Sequence, residues 1–366
     1  MRILFTGGGT GGHLYPALAI ARAVVALDPS VRPHFIGARR GIERTVLPTT
    51  EFSHELLDLH PLYRAAPWNN WRTAAGLISA LRAIGTGVRQ ERPAAVVGTG
   101  GYAAGAVLGY AALHGIPYGI QEQNSFPGLT VKLFARRARE VWLGFPEAAG
   151  ALTLGPRSTA VDTGNPIEPP PVARAPRADA LARWGFAPDD GLVLLVFGGS
   201  QGARALNDAV AAWVRRGLPP GIRLIWGTGT ASYDQYAPLE SDRVRVRAYL
   251  APIADAYAAA DLALTRAGAM TTAELCAWGI PMALVPLPTA AADHQTANAV
   301  ALERAGAALH LPQRTLSVDL LDEQVGALAA HPERRASLAA GATARARPDA
   351  ARVIAGRVLA MARARV

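Results

Sequence analysis

Residues 261–298 read DLALTRAGAMTTAELCAWGIPMALVPLPTAAADHQTAN, and the succession of elements within them decides the fold. The apolar run 262–264 has the length of a buried strand, Gly268 supplies a turn, and residues 271–278 are good helix formers stopped by Gly279, Ile280 and Pro281. A second apolar run, 282–286, leads through a polar loop to Asp293, His294 and Gln295. Strand, turn, helix, strand and loop make a parallel-sheet unit whose first turn and last loop open at the same sheet edge, where such sheets take ligands. Amides at the helix start suit a phosphate or a sugar hydroxyl, the Glu274 carboxylate accepts from two neighbouring hydroxyls, and His294 and Gln295 donate or accept. Together they read as a nucleotide-sugar pocket. Thr271 and Glu274 also have the spacing of a capping box, in which Thr caps the helix and Glu reaches back to its amide. Local spacing does not choose between the two.

Arg266 to Ala269, Thr271, Glu274, Gly279, Pro281, Pro286, Asp293 to Gln295, Asn298 and Ala299 resemble the donor-binding block of the MurG family. Its members are bacterial transferases that add N-acetylglucosamine to lipid I to give lipid II.

A length of 366 residues fits two or three domains, and 50% hydrophobic content is ample for two cores. The formal charge is +9, carried almost wholly by arginine, since Lys132 is the only lysine. Such a balance favours phosphates in nucleic acid, at an anionic membrane surface or in a pyrophosphate substrate, and charge does not choose among them. Cys276 is the only cysteine, which excludes an internal disulfide and a cysteine zinc site and suggests a packed thiol. The amino terminus lacks the apolar core of a signal peptide, so the expected location is the cytoplasm. Residues 93–121 contain no Asp, Glu, Lys or Arg, but Gly98, Gly100, Gly101, Gly105 and Gly109 interrupt them. They read as a buried strand, a glycine turn and a small-residue helix rather than a membrane span.

In the first half, strand 2–6 feeds GGGTGGH at 7–13 and an alanine-rich helix to about residue 27, a phosphate-loop arrangement. Gly7, Gly9 and Gly12 fit G-x-G-x-x-G, yet the next strand ends in Ala38, Arg39 and Arg40 without the acidic residue that holds an NAD ribose; an NADP reading stays open. Residues 67–88, PWNNWRTAAGLISALRAIGTGV, place Leu77, Leu81, Ile84 and Val88 at helical spacing, with Trp68, Trp71, Arg64, Arg72, Arg82 and Arg89 around them. Either this is a core-facing helix, the reading spacing favours, or an interfacial patch on anionic lipid. GTGGY at 98–102 and QEQN at 121–124 follow predicted strands and open on the same edge as the 7–13 loop.

Beyond VDTGNP at 161–166, the Pro/Ala/Arg stretch to residue 178 marks a linker, and strand 192–197 then feeds GGSQGARALN at 198–207. The second half thus repeats the logic of the first, and 224–226 and 244–248 supply further strands.

The resemblance spans nearly the whole chain and implies an α/β protein of GT-B architecture, two Rossmann-like parallel-sheet domains facing across a cleft. The expected boundaries are 1–164 for an acceptor and membrane-associated domain, with helix 349–366 packing back on it, and 165–348 for a UDP-sugar donor domain. The implied reaction moves N-acetylglucosamine, with inversion, from UDP-N-acetylglucosamine to the muramyl 4-hydroxyl of lipid I. Candidate bases are His13 first and Glu122 second, since a base near the acceptor hydroxyl is required. A purely structural role for each stays open: His13 bonding its loop, Glu122 as a solvated charge. Thr10, Gly11, Gly12, Tyr102, Asn124 and Asn165 match positions lining the acceptor and sugar sites. Ser200, Arg266 and the amides at 199–202, with Gln201 and Gly202, and at 268–271, with Ala269, Met270 and Thr271, fall to the diphosphate, Thr272 is a further substrate-binding position, Glu274 falls to the ribose, Leu250 to the uracil through its backbone, and Asn124, Ala269, His294 and Gln295 to sugar hydroxyls. The family has an arginine where this chain has Glu168, so Arg174 or Arg266 is left to meet the diphosphate. No cofactor and no metal are implied, and the chain has no Asp-x-Asp pair. Expected partners are the sugar nucleotide, lipid I and the anionic cytoplasmic face of the membrane, with no nucleic acid. Two alternatives remain: another UDP-sugar enzyme of this architecture, such as a UDP-N-acetylglucosamine 2-epimerase, or a basic module binding nucleic acid or membrane.

Overall fold

Short runs of apolar, β-branched residues bounded by glycine turns pair in parallel here, because intervening helices cover both faces of each sheet. A computed structural model of the chain describes residues 1–61, 68, 70–188, 191–199 and 202–364, apart from the side chain of Ala74. The first sheet holds β1 Arg2–Thr6, β2 Arg32–Ala38, β3 Ser53–Leu57, β4 Ala95–Gly98, β5 Tyr118–Glu122, β6 Glu140–Leu143 and β7 Thr159–Asp162. Their order is β3-β2-β1-β4-β5-β6-β7, with every pair parallel. The second sheet holds β8 Leu192–Phe197, β9 Ile222–Gly227, β10 Val244–Arg247, β11 Leu262–Thr265, β12 Met282–Leu284 and β13 Ala308–His310, in the order β10-β9-β8-β11-β12-β13, again all parallel. The chain divides into two compact units, Met1–Glu168 with Asp349–Val366, and Pro169–Pro348.

Strands β3, β7 and β13 carry weak apolar signals and escape the sequence reading. SHELL at β3 and TAVD at β7 alternate or stay half-buried at the edges of their sheet, while β13 is three residues long. In the first unit the closing helix, Ala350–Arg363, buries Ile354, Ala355, Val358, Leu359 and Ala362 against Leu14, Ala17, Leu18 and Ala21 of helix Gly11–Leu27. Ion pairs of Arg357 with Glu140 (3.0 Å) and Arg363 with Asp28 (2.6 Å) fix its register.

Helix Asn70–Gln90 answers the two readings of residues 67–88 separately along its length. Ala80 and Ile84 are buried, with Leu81 and Val88 packed against the same core beside Tyr110. Leu77, placed by its spacing on that face, is instead exposed. A Cβ on Gly76 would stand 2.4 Å from the Asp58 carbonyl oxygen, so this turn approaches its neighbour through bare backbone. Trp68, Trp71, Leu77 and Ile78 remain 74%, 65%, 41% and 53% exposed. Arg64 lies outside the described residues. Cys276 is buried, which pushes its thiol up to about 12. Among the described residues no helix is long and apolar enough to cross a membrane.

Candidate active site

Both sheets reverse strand order once near the middle, between β1 and β4 and between β8 and β11. Connections leave such a pair towards opposite faces, which opens a crevice at the carboxyl ends of the two strands. The glycine loops lie there: 7–12 and 99–101 in the first unit, Gly198, Gly199 and Gly202 with 266–268 in the second.

In the first unit the two loops touch through backbone, since a Cβ on Gly101 would meet the Gly8 carbonyl oxygen at 2.1 Å. This contact brings His13, in the first turn of helix Gly11–Leu27, against Thr99. Thr99 Oγ1 donates to the His13 carbonyl at 2.7 Å. Nδ1 of His13 lies 3.0 Å from the Thr99 carbonyl oxygen and 3.0 Å from Gln123 Oε1. Gln123 Nε2 donates to the same Thr99 carbonyl at 2.9 Å, which fixes its oxygen as the atom turned to the imidazole. A carbonyl only accepts, so Nδ1 carries a hydrogen and, in the neutral ring, Nε2 is the nitrogen with the lone pair. Nε2 has no hydrogen-bond partner among the described residues. Thr10 is the extended N-cap residue and, like Gly12, is exposed; Gly11 is half-buried. The Tyr102 ring lies over Gly9, 2.7 Å from where its Cβ would be.

Glu122 is not a solvated charge. It is buried, with Oε1 accepting from the Asn124 amide at 2.9 Å and Oε2 from the Gly128 amide at 2.8 Å, so both oxygens brace the loop after β5. Asn165 is likewise buried, donating to the Gln123 carbonyl at 3.0 Å and accepting from Gln121 Nε2 at 2.9 Å. Glu43, absent from the sequence reading, is fully buried beneath the first glycine loop and accepts from the Gly9 amide at 3.0 Å. Only the flanking glycines at 37 and 41 hint at it in the sequence.

In the second unit Ser200 and Gln201 lie outside the described residues. Gly202 has φ +75, and a Cβ there would stand 2.4 Å from the Thr228 carbonyl oxygen. Leu250 is buried beside Gly227. Helix Ala269–Trp278 starts after Gly268, which places Ala269, Met270, Thr271 and Thr272 in its first turn. With the cap at Gly268, the Thr271 to Glu274 capping box does not form. Thr272 Oγ1 bonds back to the Gly268 and Ala269 carbonyls at 3.1 Å each, and Glu274 Oε2 accepts from Tyr257 at 2.7 Å.

Much of the polar motif holds backbone. Buried Arg266 donates from Nη1 to the Val285 and Pro286 carbonyls at 3.0 and 3.1 Å, and burial lowers its pKa. Gln295 Oε1 accepts from the Leu287 amide at 3.0 Å, and Asn298 donates to the Ala267 carbonyl at 3.1 Å. His294 Nδ1 is 2.7 Å from the Ala291 carbonyl oxygen. Ala292 and Asp293 before it both have φ 52, a conformation that costs non-glycine residues of order 1–3 kcal/mol and collects at functional sites. Arg174 is far from the role left open for it. It donates to the Ala277 and Trp278 carbonyls at 3.3 Å each, at the opposite end of the helix from the 269–271 amides. Glu168, in turn, adds to the negative field that raises the pKa of Arg22, after the bond from Glu51.

Two all-parallel α/β units of this kind, each with a glycine loop at its switch point, define a GT-B glycosyltransferase fold. Residues 3–143 match the glycosyltransferase family 28 N-terminal domain and residues 193–354 its C-terminal domain. The chain is 43% identical, over 98% of its length and 96% of the relative's, to the UDP-N-acetylglucosamine–N-acetylmuramyl-(pentapeptide) pyrophosphoryl-undecaprenol N-acetylglucosamine transferase of Salinibacter ruber. It superposes on the MurG crystal structure from Acinetobacter baumannii with a TM-score of 0.78 at 28% identity, covering 98% of this chain and 99% of that one. A putative UDP-N-acetylglucosamine 2-epimerase from Listeria monocytogenes, at 14% identity and a TM-score of 0.66 over 97% and 94% of the two chains, shares the fold alone. The chain belongs to the MurG family.

Proposed function

We propose that this protein transfers N-acetylglucosamine, with inversion, from UDP-N-acetylglucosamine to the muramyl 4-hydroxyl of a polyprenyl-diphosphate muramyl-peptide, lipid I, to give lipid II. The observation that carries this reading is the hydrogen bond between His13 and the Thr99 carbonyl, which in the neutral ring leaves Nε2 as the lone-pair nitrogen, on the first turn of the helix that follows the switch-point glycine loop. Relatedness to transferases named for this reaction supports the substrate pair.

The acceptor hydroxyl gives its proton to His13 Nε2 as its oxygen bonds to the anomeric carbon. On the opposite face the bond to the diphosphate breaks, and UDP leaves with the electron pair. The first-turn amides of helix Ala269–Trp278 and the 198–202 glycine loop, with Ser200 and Gln201, hold the diphosphate charge. Glu274, aimed by Tyr257, takes the ribose hydroxyls, and the Leu250 backbone meets the uracil. Thr10, Gly11, Gly12, Tyr102 and Asn124 line the acceptor, while Ala269, His294 and Gln295 hold sugar hydroxyls. Arg266, Asn165 and Glu122 serve by fixing the loops that present these groups.

The 1–164 segment with the last helix is the acceptor half in this proposal, and 165–348 the donor half. The exposed Trp68, Trp71, Leu77 and Ile78, with Arg72 over the Trp71 ring at 5.4 Å, suit peripheral attachment to the anionic cytoplasmic face of the membrane. The test is whether purified protein consumes UDP-N-acetylglucosamine only when a polyprenyl-diphosphate muramyl acceptor is present. Acceptor-independent conversion of the sugar nucleotide to its 2-epimer would overturn the reading.

A further inference from the structure

Behind His13 the buried side-chain amides of Gln123, Gln121 and Asn165 are bonded in series across the carboxyl ends of β5 and β7. Their polarity is fixed from the far end. Asn165 Nδ2 donates to the Gln123 carbonyl at 3.0 Å, so Oδ1 is the atom turned to Gln121, whose Nε2 donates to it at 2.9 Å and to the Glu122 carbonyl at 3.2 Å. Gln121 Oε1 is then the atom turned to Gln123. It accepts from Gln123 Nε2, which also donates to the Thr99 carbonyl at 2.9 Å and the Gln121 carbonyl at 3.2 Å. Gln123 Oε1 is left facing His13 Nδ1 at 3.0 Å. Turning any one amide over would set buried groups of like polarity face to face, and a buried polar group left unsatisfied costs more than a made bond contributes. The direction therefore belongs to the series as a whole and passes to the imidazole. Backbone gives way at both ends: a Cβ on Gly144 would stand 2.3 Å from Asn165 Oδ1, and one on Gly100 3.2 Å from His13 Nδ1.

The Nδ1 hydrogen is shared between the oxygens of Thr99 and Gln123. Two acceptors hold the plane of the ring as well as its tautomer, and both face the ring when Nε2 takes a proton. Serine proteases give this task to a carboxylate. No carboxylate bonds to the His13 ring among the described residues. We infer that Gln123 is a positioning residue of the transfer reaction: its amide, oriented by Gln121 and Asn165, holds the His13 ring with Nε2 as the lone-pair nitrogen and stabilises that ring once it is protonated. This rests on the proposed function in taking His13 as the base.

Gln123→Met keeps the length of the side chain and removes its oxygen, while Gln121→Met interrupts the series one step further from the ring. The first readout needs no turnover. Nitrogen NMR is recorded at mildly alkaline pH on full-length, UDP-saturated protein labelled at histidine, with the His13 signals identified by their loss in His13→Ala. Wild type shows a protonated Nδ1 and a bare Nε2; in Gln123→Met, where half of the shared bond is gone, the Nε2–H tautomer becomes populated. An unchanged His13 signature in Gln123→Met overturns the inference, as does a wild-type ring that carries its hydrogen on Nε2. The second readout is kinetic. Gln123→Met loses kcat about tenfold or more, the scale of a bond to a group that becomes charged, while the donor KM stays within about twofold. Gln121→Met loses less, and the double variant is no slower than Gln123→Met alone, because the outer amide acts only through the inner one. Turnover of Gln123→Met within about twofold of wild type, or losses that multiply in the double variant, overturns the inference. Should Gln123→Met fail to fold, seen as loss of the UDP-induced rise in Tm, Gln123→Glu decides. A carboxylate against Nδ1 makes a shorter, charge-assisted bond that moves the Nδ1 proton resonance downfield, and a resonance left in place overturns the inference. A wild-type protein that binds UDP but shows no acceptor-dependent transfer would sink the proposed function, while the NMR comparison still decides whether Gln123 sets the ring.

Discussion

Tyr257 donates its phenolic hydrogen to Glu274 Oε2 at 2.7 Å, from helix Ile253–Ala259 to helix Ala269–Trp278. Tyr257 is buried, with the rings of Phe197 and Trp278 at 6.3 and 5.7 Å. Burial first, and the Glu274 charge second, push the phenol well above its ordinary range, so it stays a donor and aims the carboxylate. A hydrogen bond to a charged group contributes about 1.5–3 kcal/mol. Tyr257→Phe therefore raises the donor KM about tenfold or more with kcat little changed, and Glu274→Ala raises it further. Steady-state kinetics beside thermal melts check this; a large drop in Tm with unaltered KM would mean the pair serves helix packing.

His13→Ala removes the one group whose lone pair is set by the Thr99 carbonyl. Its kcat falls by about 10²-fold or more, the range for a lost general base, while the Kd for UDP-N-acetylglucosamine is unchanged. Near-normal turnover would eliminate His13 as the base.

Serine at Trp68, Trp71, Leu77 and Ile78 lowers binding to anionic vesicles in flotation assays. Because these side chains are exposed, stability moves by only about 0.5 kcal/mol per site. Ile84→Ala, by contrast, opens a cavity in the core and costs about 2–5 kcal/mol. Unfolding of the serine variant would show that the four residues are packed after all.

The pH dependence of stability carries the mark of His34. Its Nδ1 is 2.9 Å from Ser53 Oγ, its Nε2 is buried without a partner, and burial first, then the Arg2 charge, lowers its pKa from 6.5 to about 4. A depressed pKa means the unfolded chain binds the proton more tightly. The contribution is therefore present above pH 6.5 and is lost as pH falls towards 4. Urea midpoints measured across this window decline with acid, and His34→Gln flattens the slope; an unchanged slope would remove His34 as its source.

The buried strands were plain in the residues themselves. VVG before GGY, LVLLVF before GGSQG and LALT before RAG are short apolar runs ending in glycine, and each is a strand at a switch point. The edge strands SHELL and TAVD were not, because a half-buried strand needs a neighbour to identify it. For the polar residues the motif indicated the place and not the partner. Glu274 showed a capping spacing that the actual start of the helix at Ala269 leaves unused.

Alone, then, the amino-acid order determined two parallel α/β units, their glycine turns and the short list of groups at each sheet edge, since strand burial, helix stops and turn sterics act over a few neighbouring residues. Tertiary structure alone decided which of those groups face a ligand and which hold backbone. Arg266 finds its carbonyl 19 residues onward and Asn165 its glutamine 44 residues back, while Glu43 reaches the Gly9 amide 34 residues before it. A hydrogen bond is satisfied by whatever partner the fold brings within about 3 Å, and no local pattern records that partner.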